Sequence, residues 1–143
     1  MAIALNGGST NFISTISASP SANRTVTVPD ATFTVAGSDA AQTFSASQRG
    51  TVTTDNDGSF NMNVTNNFKC TPTGSITLTF TNITAGQSGF ILLVNGSNYT
   101  ISAAATTEVA SGALAAMSVT GTYLLSYFSD GTNVFVVNSG ALA

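Results

Sequence analysis

The most regular stretch of the chain runs from Ile76 to Asn95 and contains two predicted strands. In its first part, large apolar side chains alternate with threonines: Ile76, Leu78 and Phe80 against Thr77, Thr79 and Thr81. This period of two is typical of a half-buried β-strand. Residues 90–94 are an unbroken apolar run, which predicts a strand covered on both faces. The small residues and two glycines of 84–89 predict the connection between them.

Further short strands are predicted on both sides of this stretch. Residues 51–54 are β-branched and end in Asp55-Asn56-Asp57-Gly58, a strong turn sequence, after which residues 60–65 alternate again. The segment Asn95-Gly96-Ser97-Asn98 predicts a two-residue hairpin turn. Residues 103–117 are expected to form a long loop with at most one helical turn. Residues 122–128 and 134–138 predict a final hairpin.

Two regions are expected from this pattern. Residues 1–45 are small and polar with few large apolar side chains, which predicts an extended N-terminal arm with short edge strands, either flexible or ordered against a partner. Residues 46–143 carry the regular strand signals. Seven to nine short, closely spaced strands predict an all-β fold, a β-sandwich or jelly-roll-like domain.

The composition is unusually poor in charge. Charged residues make up 6% of the chain, against about 25% in a typical soluble domain. Three cations cannot form a basic patch, so we expect no nucleic-acid binding. A surface with so little charge suits a permanent oligomer better than a free monomer. The uncharged, β-branched row Thr77, Thr79 and Thr81 could be a trimer interface or could face water.

Candidate catalytic and metal-binding residues are few. The chain has no histidine, which excludes Ser-His-Asp and Cys-His catalysis, and its acidic residues all fall in or beside predicted turns. We therefore expect no enzyme activity, no cofactor and no metal. The sequence Asp55-Asn56-Asp57-Gly58 offers oxygen ligands for calcium, but the EF-hand pattern fails and a hairpin turn is the simpler interpretation.

The remaining sequence signals concern the cellular compartment in which the protein is made and folded. Cys70 is the single cysteine and is expected to be a buried small hydrophobic residue, with a bridge between chains around a symmetry axis as the alternative. No stretch reaches the ~18 apolar residues needed to cross a bilayer, so we expect no membrane partner. The first residues contain neither a cation nor a long apolar segment, which predicts synthesis and folding in a reducing cytoplasm.

Two segments resemble bacteriophage virion proteins. Residues 22–32, Ala-Asn-Arg-Thr-Val-Thr-Val-Pro-Asp-Ala-Thr, resemble a phrase that recurs in phage tail fibres and head decorations, although Phe33 stands where those proteins commonly have glycine. Residues 68–137, with Thr-Ala-Gly-Gln-Ser-Gly at 84–89 and Gly-Thr-Tyr-Leu-Leu-Ser-Tyr-Phe at 121–128, resemble a small β-domain of tail-fibre and capsid-surface proteins from marine and cyanobacterial phages. The resemblance implies a homotrimer.

The expected function is therefore structural. The resemblance and the short chain favour a capsid decoration or cement protein on the exterior of the phage head, made in the bacterial cytoplasm and binding the major capsid protein. The candidate capsid contacts are Phe12, Ile13, Asn23, Arg24 and Arg49. The rival is a short tail-fibre or host-adhesion module in which the loops at 95–98 or 103–117 contact surface glycans. A depolymerase-type hydrolase and a bacterial adhesin subunit are weaker alternatives.

Overall fold

The computed structural model describes residues 47–143, which form nine β-strands and one short helix. The elements are β1 (Val52–Thr54), β2 (Ser59–Asn61), β3 (Asn67–Cys70), β4 (Ile76–Thr81), β5 (Ser88–Asn95), β6 (Ile101–Ala103), β7 (Thr107–Val109), α1 (Ala113–Met117), β8 (Gly121–Ser129) and β9 (Val134–Leu142). The predicted arm, residues 1–45, lies outside the described residues, and so does the predicted domain boundary near residue 46.

Successive strands from β1 to β7 alternate between two sheets. The six-stranded sheet has the order β1-β3-β5-β8-β9-β7, and the three-stranded sheet has the order β2-β4-β6. Within each sheet, β1, β3 and β5 pair in parallel, and so do β2, β4 and β6. The chain therefore winds as stacked coils, each adding one strand to each sheet, which is a β-solenoid-like arrangement.

The all-β class predicted from the sequence is confirmed, and the strand pairing differs from that of a jelly roll. Among the described residues, five strand pairs are parallel and two are antiparallel, whereas a jelly roll is built from antiparallel strands. The two turns predicted as hairpins, at 55–58 and 95–98, instead join strands of different sheets. Turn residues favour a reversal of the chain but do not specify which strand pairs with which.

The predicted final hairpin is confirmed. Strands β8 and β9 pair in antiparallel orientation, and β8 also pairs with β5, so the hairpin extends the sheet beyond the stacked coils. A register shift between Tyr123 and Leu125 places an extra residue in β9, where Gly140 has a φ of 85°. This is the geometry of a β-bulge, which glycine accommodates without steric strain.

The core lies between the two sheets and is organised by the alternation of side chains along each strand. Strand β4 places Ile76, Leu78 and Phe80 inward, as its period of two predicts. The centroid of the Phe60 ring lies 5.1 Å from that of Phe68 and 5.4 Å from that of Phe80, and the centroids of Phe80 and Tyr127 are 5.2 Å apart. These tilted contacts join side chains from both sheets and add about 0.5–1.5 kcal/mol each beyond area burial.

Two predictions of local structure are only partly correct. Residues 103–117 contain the single helical turn allowed by the sequence, α1, but also the strand β7, which the sequence does not predict. The alternation over 60–65 stops at Met62, because a turn follows in which the backbone N–H of Val64 donates to the carbonyl of Asn61 (3.1 Å), and Val64 is exposed.

Candidate interaction surface

Among residues 47–143, the outward side of the six-stranded sheet is largely apolar, and no described element packs over it. The prediction that residues 90–94 form a strand covered on both faces is wrong: Ile91 and Leu93 are buried, whereas Phe90 is 51% exposed. The same alternation places outward side chains on four strands, forming a surface that we call the apolar face. Its exposed large side chains are Val52, Phe90, Leu124, Phe128, Phe135, Val137 and Leu142, the last of which is opposite Thr122.

Strand pairing fixes the positions of these side chains relative to one another. Leu124 lies directly opposite the half-buried Leu92, and Phe128 lies directly opposite Phe135. Val137 is opposite Ser126, which is in turn opposite Phe90. Directly opposite side chains in a sheet are about 5 Å apart, so the apolar face is continuous across β5, β8 and β9.

The two halves of the apolar face, one beside β1, β3 and β5 and the other on β8 and β9, differ in shape. On the side of β1, β3 and β5 there is an open groove of about 360 Å³, lined mainly by Val52, Phe90, Leu92 and Leu124, with Asn67 and Lys69 of β3 beside them. On the side of β8 and β9, Phe128 is 51% exposed and stands next to the exposed Phe135. One half is concave and the other carries projecting aromatic side chains.

Charge on this surface is confined to two strands near its opposite edges. Lys69 on β3 is exposed between the buried Phe68 and Cys70, so its side chain is on the outward side of the sheet. Glu108 on β7 is also exposed and lies opposite Phe135. The strands between β3 and β7 carry no charged residue.

The threonine row predicted as a trimer interface lies on the other sheet. Thr77 and Thr81 are exposed and Thr79 is half-buried, on the outward side of β4. The Thr77 hydroxyl is 2.8 Å from the Ser102 hydroxyl, and the Thr79 hydroxyl donates to the carbonyl of Thr77 (3.2 Å). These bonds occupy part of the row's hydrogen-bonding capacity within the protomer, and its role as an interface stays a prediction.

The acidic turn at 55–58 uses its side chains to hold the backbone. The Asp57 carboxylate accepts a hydrogen bond from the N–H of Ser59 (2.8 Å), and the Asn56 amide oxygen accepts one from the N–H of Thr71 (2.8 Å). Burial raises the pKa of Asp55, whereas the side-chain hydrogen bond with Asp55 lowers the pKa of Asp57. No group of three or more potential metal ligands occurs within residues 47–143. The geometry is that of a structural corner.

Cys70 lies on the inward side of β3 and is fully buried as a free thiol, as the sequence predicts. Burial, reinforced by the nearby Asp55 and Asp57 carboxylates, raises the pKa of this thiol to about 12. A thiol that is both buried and protonated is unreactive. The alternative of a disulfide between chains would require the inward side of β3 to open.

The loop at 95–98, one of two proposed for glycan contact, is anchored by a buried side chain. The Asn95 amide nitrogen donates to the carbonyls of Tyr99 (2.8 Å) and Met117 (2.9 Å), while its oxygen accepts from the N–H of Tyr99 (3.0 Å). Gly96, Ser97 and Asn98 are exposed beyond this anchor. The loop is therefore presented by the fold, but Asn95 itself is not available to a ligand.

The other predicted contact residues are placed only in part. Arg49 is exposed in the segment before β1. Phe12, Ile13, Asn23 and Arg24 lie outside the described residues, so their role in capsid contact stays a prediction. The apolar face was not predicted, although the apolar residues at both odd and even positions of 90–94 and of 134–137 were the signal for it.

Comparison of the chain with protein-family models, with curated proteins and with solved structures gave no match. In the part of the chain that the structure describes, no helix is long and apolar enough to cross a membrane.

Proposed function

We propose that this chain is a structural protein of a bacteriophage particle. In this proposal it is a homotrimeric decoration protein on the capsid exterior that binds neighbouring subunits of the major capsid protein, and it has no enzymatic role. The observation that carries the proposal is the apolar face, a broad surface with exposed aromatic side chains and with charge only near two of its edges, on a well-packed β-domain. Exposed patches of this kind mark protein–protein interaction sites.

The sequence phrases at 22–32 and 68–137 support the phage setting, since they resemble those of virion proteins. The described residues also offer little for catalysis. Of the six charged side chains in the range 47–143, two lie on strands and four in the segments outside them. The buried polar side chains of the same range form hydrogen bonds within the protomer. A fold that satisfies its own polar groups and leaves an apolar surface uncovered is suited to assembly.

The proposed attachment to the capsid uses the arm, residues 1–45. Extended segments bind by adding a strand or backbone hydrogen bonds to a neighbouring sheet. Three arms on one trimer act together, because binding of the first raises the effective concentration of the other two. Arg24 and Arg49 would supply charge-assisted hydrogen bonds to the capsid subunits.

A short tail-fibre or host-adhesion module is the second candidate. It is favoured by the coil-like stacking of β1 to β6, since stacked parallel coils are an extendable architecture, and by the exposed residues 96–98. In that case the exposed loops would contact surface glycans of the host.

Imaging of the phage particle tests both candidates. We expect density for this protein at the threefold positions of the capsid surface, and loss of that density when residues 1–22 are deleted while the purified variant still unfolds cooperatively. Density at the tail tip would reject the decoration protein in favour of the adhesion module. Retained capsid binding after the deletion would reject attachment through the arm.

A further inference from the structure

The two unlike halves of the apolar face fit each other. The groove beside β1, β3 and β5 is open and apolar, and the half formed by β8 and β9 presents Phe128, Phe135 and Val137. Val137 lies at the same level along the sheet as Phe90 and Val52. Phe128 and Phe135 lie opposite each other, two residues further along their strands, at the level of Ser88. A copy that is rotated about an axis parallel to the strands brings its aromatic half over this groove.

We propose that the occupant of the apolar face is a second copy of this chain, with the groove half of each copy covered by the aromatic half of the next, and that three copies close around an axis parallel to the strands. The inference rests on the proposed function in one respect, the homotrimer, and assigns its interface to the six-stranded sheet. The threonine row of β4 then lies on the outside of the trimer.

The size of the apolar face is sufficient for a stable contact. Six strands spaced at ~4.8 Å make the sheet about 24 Å wide. Exposed aromatic and aliphatic side chains across it present several hundred Å² of apolar surface, since each aromatic side chain can bury roughly 150–250 Å². Specific protein–protein interfaces bury about 800 Å² on each partner. The apolar side chains and the polar ones between them together approach that area.

The same width suits three copies. When three sheets about 24 Å wide form the sides of a triangular prism, the centre of each sheet lies about 7 Å from the axis. When two sheets pack face to face, each lies only ~5 Å from the plane midway between them. The central strands β5 and β8 must therefore carry long side chains to fill the axis. They carry Phe90, Leu124 and Phe128 on the outward side.

Charge is compatible with the same head-to-tail contact. Strand pairing places Lys69 at the level of Leu92 and Glu108 at the level of Ser88, which is four residues, or about 13 Å, further along the sheet. Rotation about an axis parallel to the strands keeps this offset, so the two charges form no ion pair and both lie near the rim of the contact. The uncharged strands between them remain in the dry centre of the contact.

A pair of lysine substitutions on the two sheets tests the inference in the full-length chain. Light scattering should give the wild type three times the protomer mass of 14.4 kDa. We expect Phe128→Lys to weaken association at least about a hundredfold with an unchanged circular dichroism spectrum, because it places a charge in the centre of the interface. Thr79→Lys, the matched control on the three-stranded sheet, should leave the trimer intact.

The reverse result, in which Thr79→Lys dissociates the trimer and Phe128→Lys does not, would overturn the inference and assign the interface to the threonine row. A wild-type chain that stays monomeric at every concentration would also overturn it, and a dimeric mass would reject the ring of three. These outcomes are separate from the proposed function: a trimer dissociated by Phe128→Lys but missing from phage particles would leave the interface standing and reject the virion role.

Discussion

The inward and outward faces of the six-stranded sheet carry similar side chains in different surroundings. On β8, Leu125 is fully buried, whereas the adjacent Leu124 is 39% exposed. On β5, Ile91 and Leu93 point inward and are buried, whereas Phe90 points outward and is half exposed. The difference arises from the second sheet, which covers one face only.

This contrast separates stability from association. The inward face joins the two sheets through the aromatic contacts of Phe68 and Tyr127 with Phe60 and Phe80, so it holds the protomer together. The outward face contributes little to the folding of one chain, since its large side chains remain accessible to water. Exposed apolar patches of this kind commonly mark interaction sites, which is why the proposed contact between copies is assigned to the outward face.

The largest expected difference between the two faces is in thiol reactivity. Cys70 points inward with its pKa raised to about 12, whereas a cysteine at position 69 would point outward and keep an ordinary thiol pKa of about 8.5. At pH 8 the thiolate fraction then differs by about a thousandfold, and the alkylation rate follows the thiolate. Phe128→Lys, where association is expected to be lost, and the triple variant Phe128→Lys/Lys69→Cys/Cys70→Ser should therefore differ by about that factor.

The pH dependence of this labelling should differ in the same direction. Because the thiolate fraction rises with pH until the pKa is passed, the rate for the outward cysteine should level off above pH 9, while that of Cys70 should still increase about tenfold per pH unit. The rate is measured by mass spectrometry after timed alkylation. Equal rates at pH 8 would show that the inward face of β3 is open to solvent.

Stability should respond to the two adjacent leucines of β8 very differently. Leu125→Ala removes a fully buried side chain and should lower the free energy of unfolding by about 2–5 kcal/mol. Leu124→Ala should change that of the isolated protomer by less than about 1 kcal/mol, because its side chain is already partly in water.

Denaturant unfolding of both leucine variants in the Phe128→Lys background, where association is expected to be lost, measures this difference in the protomer. A large loss with Leu124→Ala in that background would mean that the outward face is covered within a single chain, and the apolar face would no longer be an interaction surface.

The sequence predicts the strands of this domain better than their pairing. The alternation of Ile76, Leu78 and Phe80 with threonines specifies β4 and its buried side, because side-chain period depends on local geometry. Parallel coils could not be deduced, since turn residues such as Asp55 and Gly58 suit a corner between sheets as well as a hairpin. The short strand β7 depends on a non-local contact, the parallel pairing of Thr107 with Val134.

The sequence predicts that an interaction surface would carry little charge, but it does not predict which strands form that surface. The low charge of the chain directs attention to surfaces without charge, and the threonine row is the candidate that the sequence offers. The apolar face requires knowing that β5, β8 and β9 are neighbours, because only then do Phe90, Phe128 and Phe135 form one surface. An apolar run such as 90–94 indicates that both faces are covered, but it does not say whether the second cover comes from the same chain.

The smallest of these effects concerns Gly89, at the start of β5 on the inward side. A Cβ atom there would lie 1.7 Å from the carbonyl oxygen of Asn66 and 2.7 Å from the hydroxyl oxygen of Tyr127. That carbonyl accepts hydrogen bonds from the N–H of Phe90 (3.0 Å) and from the Tyr127 hydroxyl (3.0 Å). Gly89→Ala should therefore displace the backbone at Asn66 and weaken both bonds, at a cost of about 1–3 kcal/mol.

Gly96 provides the matched control, because no atom lies within 4 Å of a Cβ built there. Gly96→Ala should be neutral or stabilise the protein by up to about 1 kcal/mol, since it restricts the unfolded chain. Thermal unfolding of both variants, again in the Phe128→Lys background, measures the difference. If Gly89→Ala unfolds at the same temperature as Gly96→Ala, the close approach of residues 66 and 89 does not hold the start of β3 against β5, and the inward face is less tightly packed than the contrast between the two faces requires.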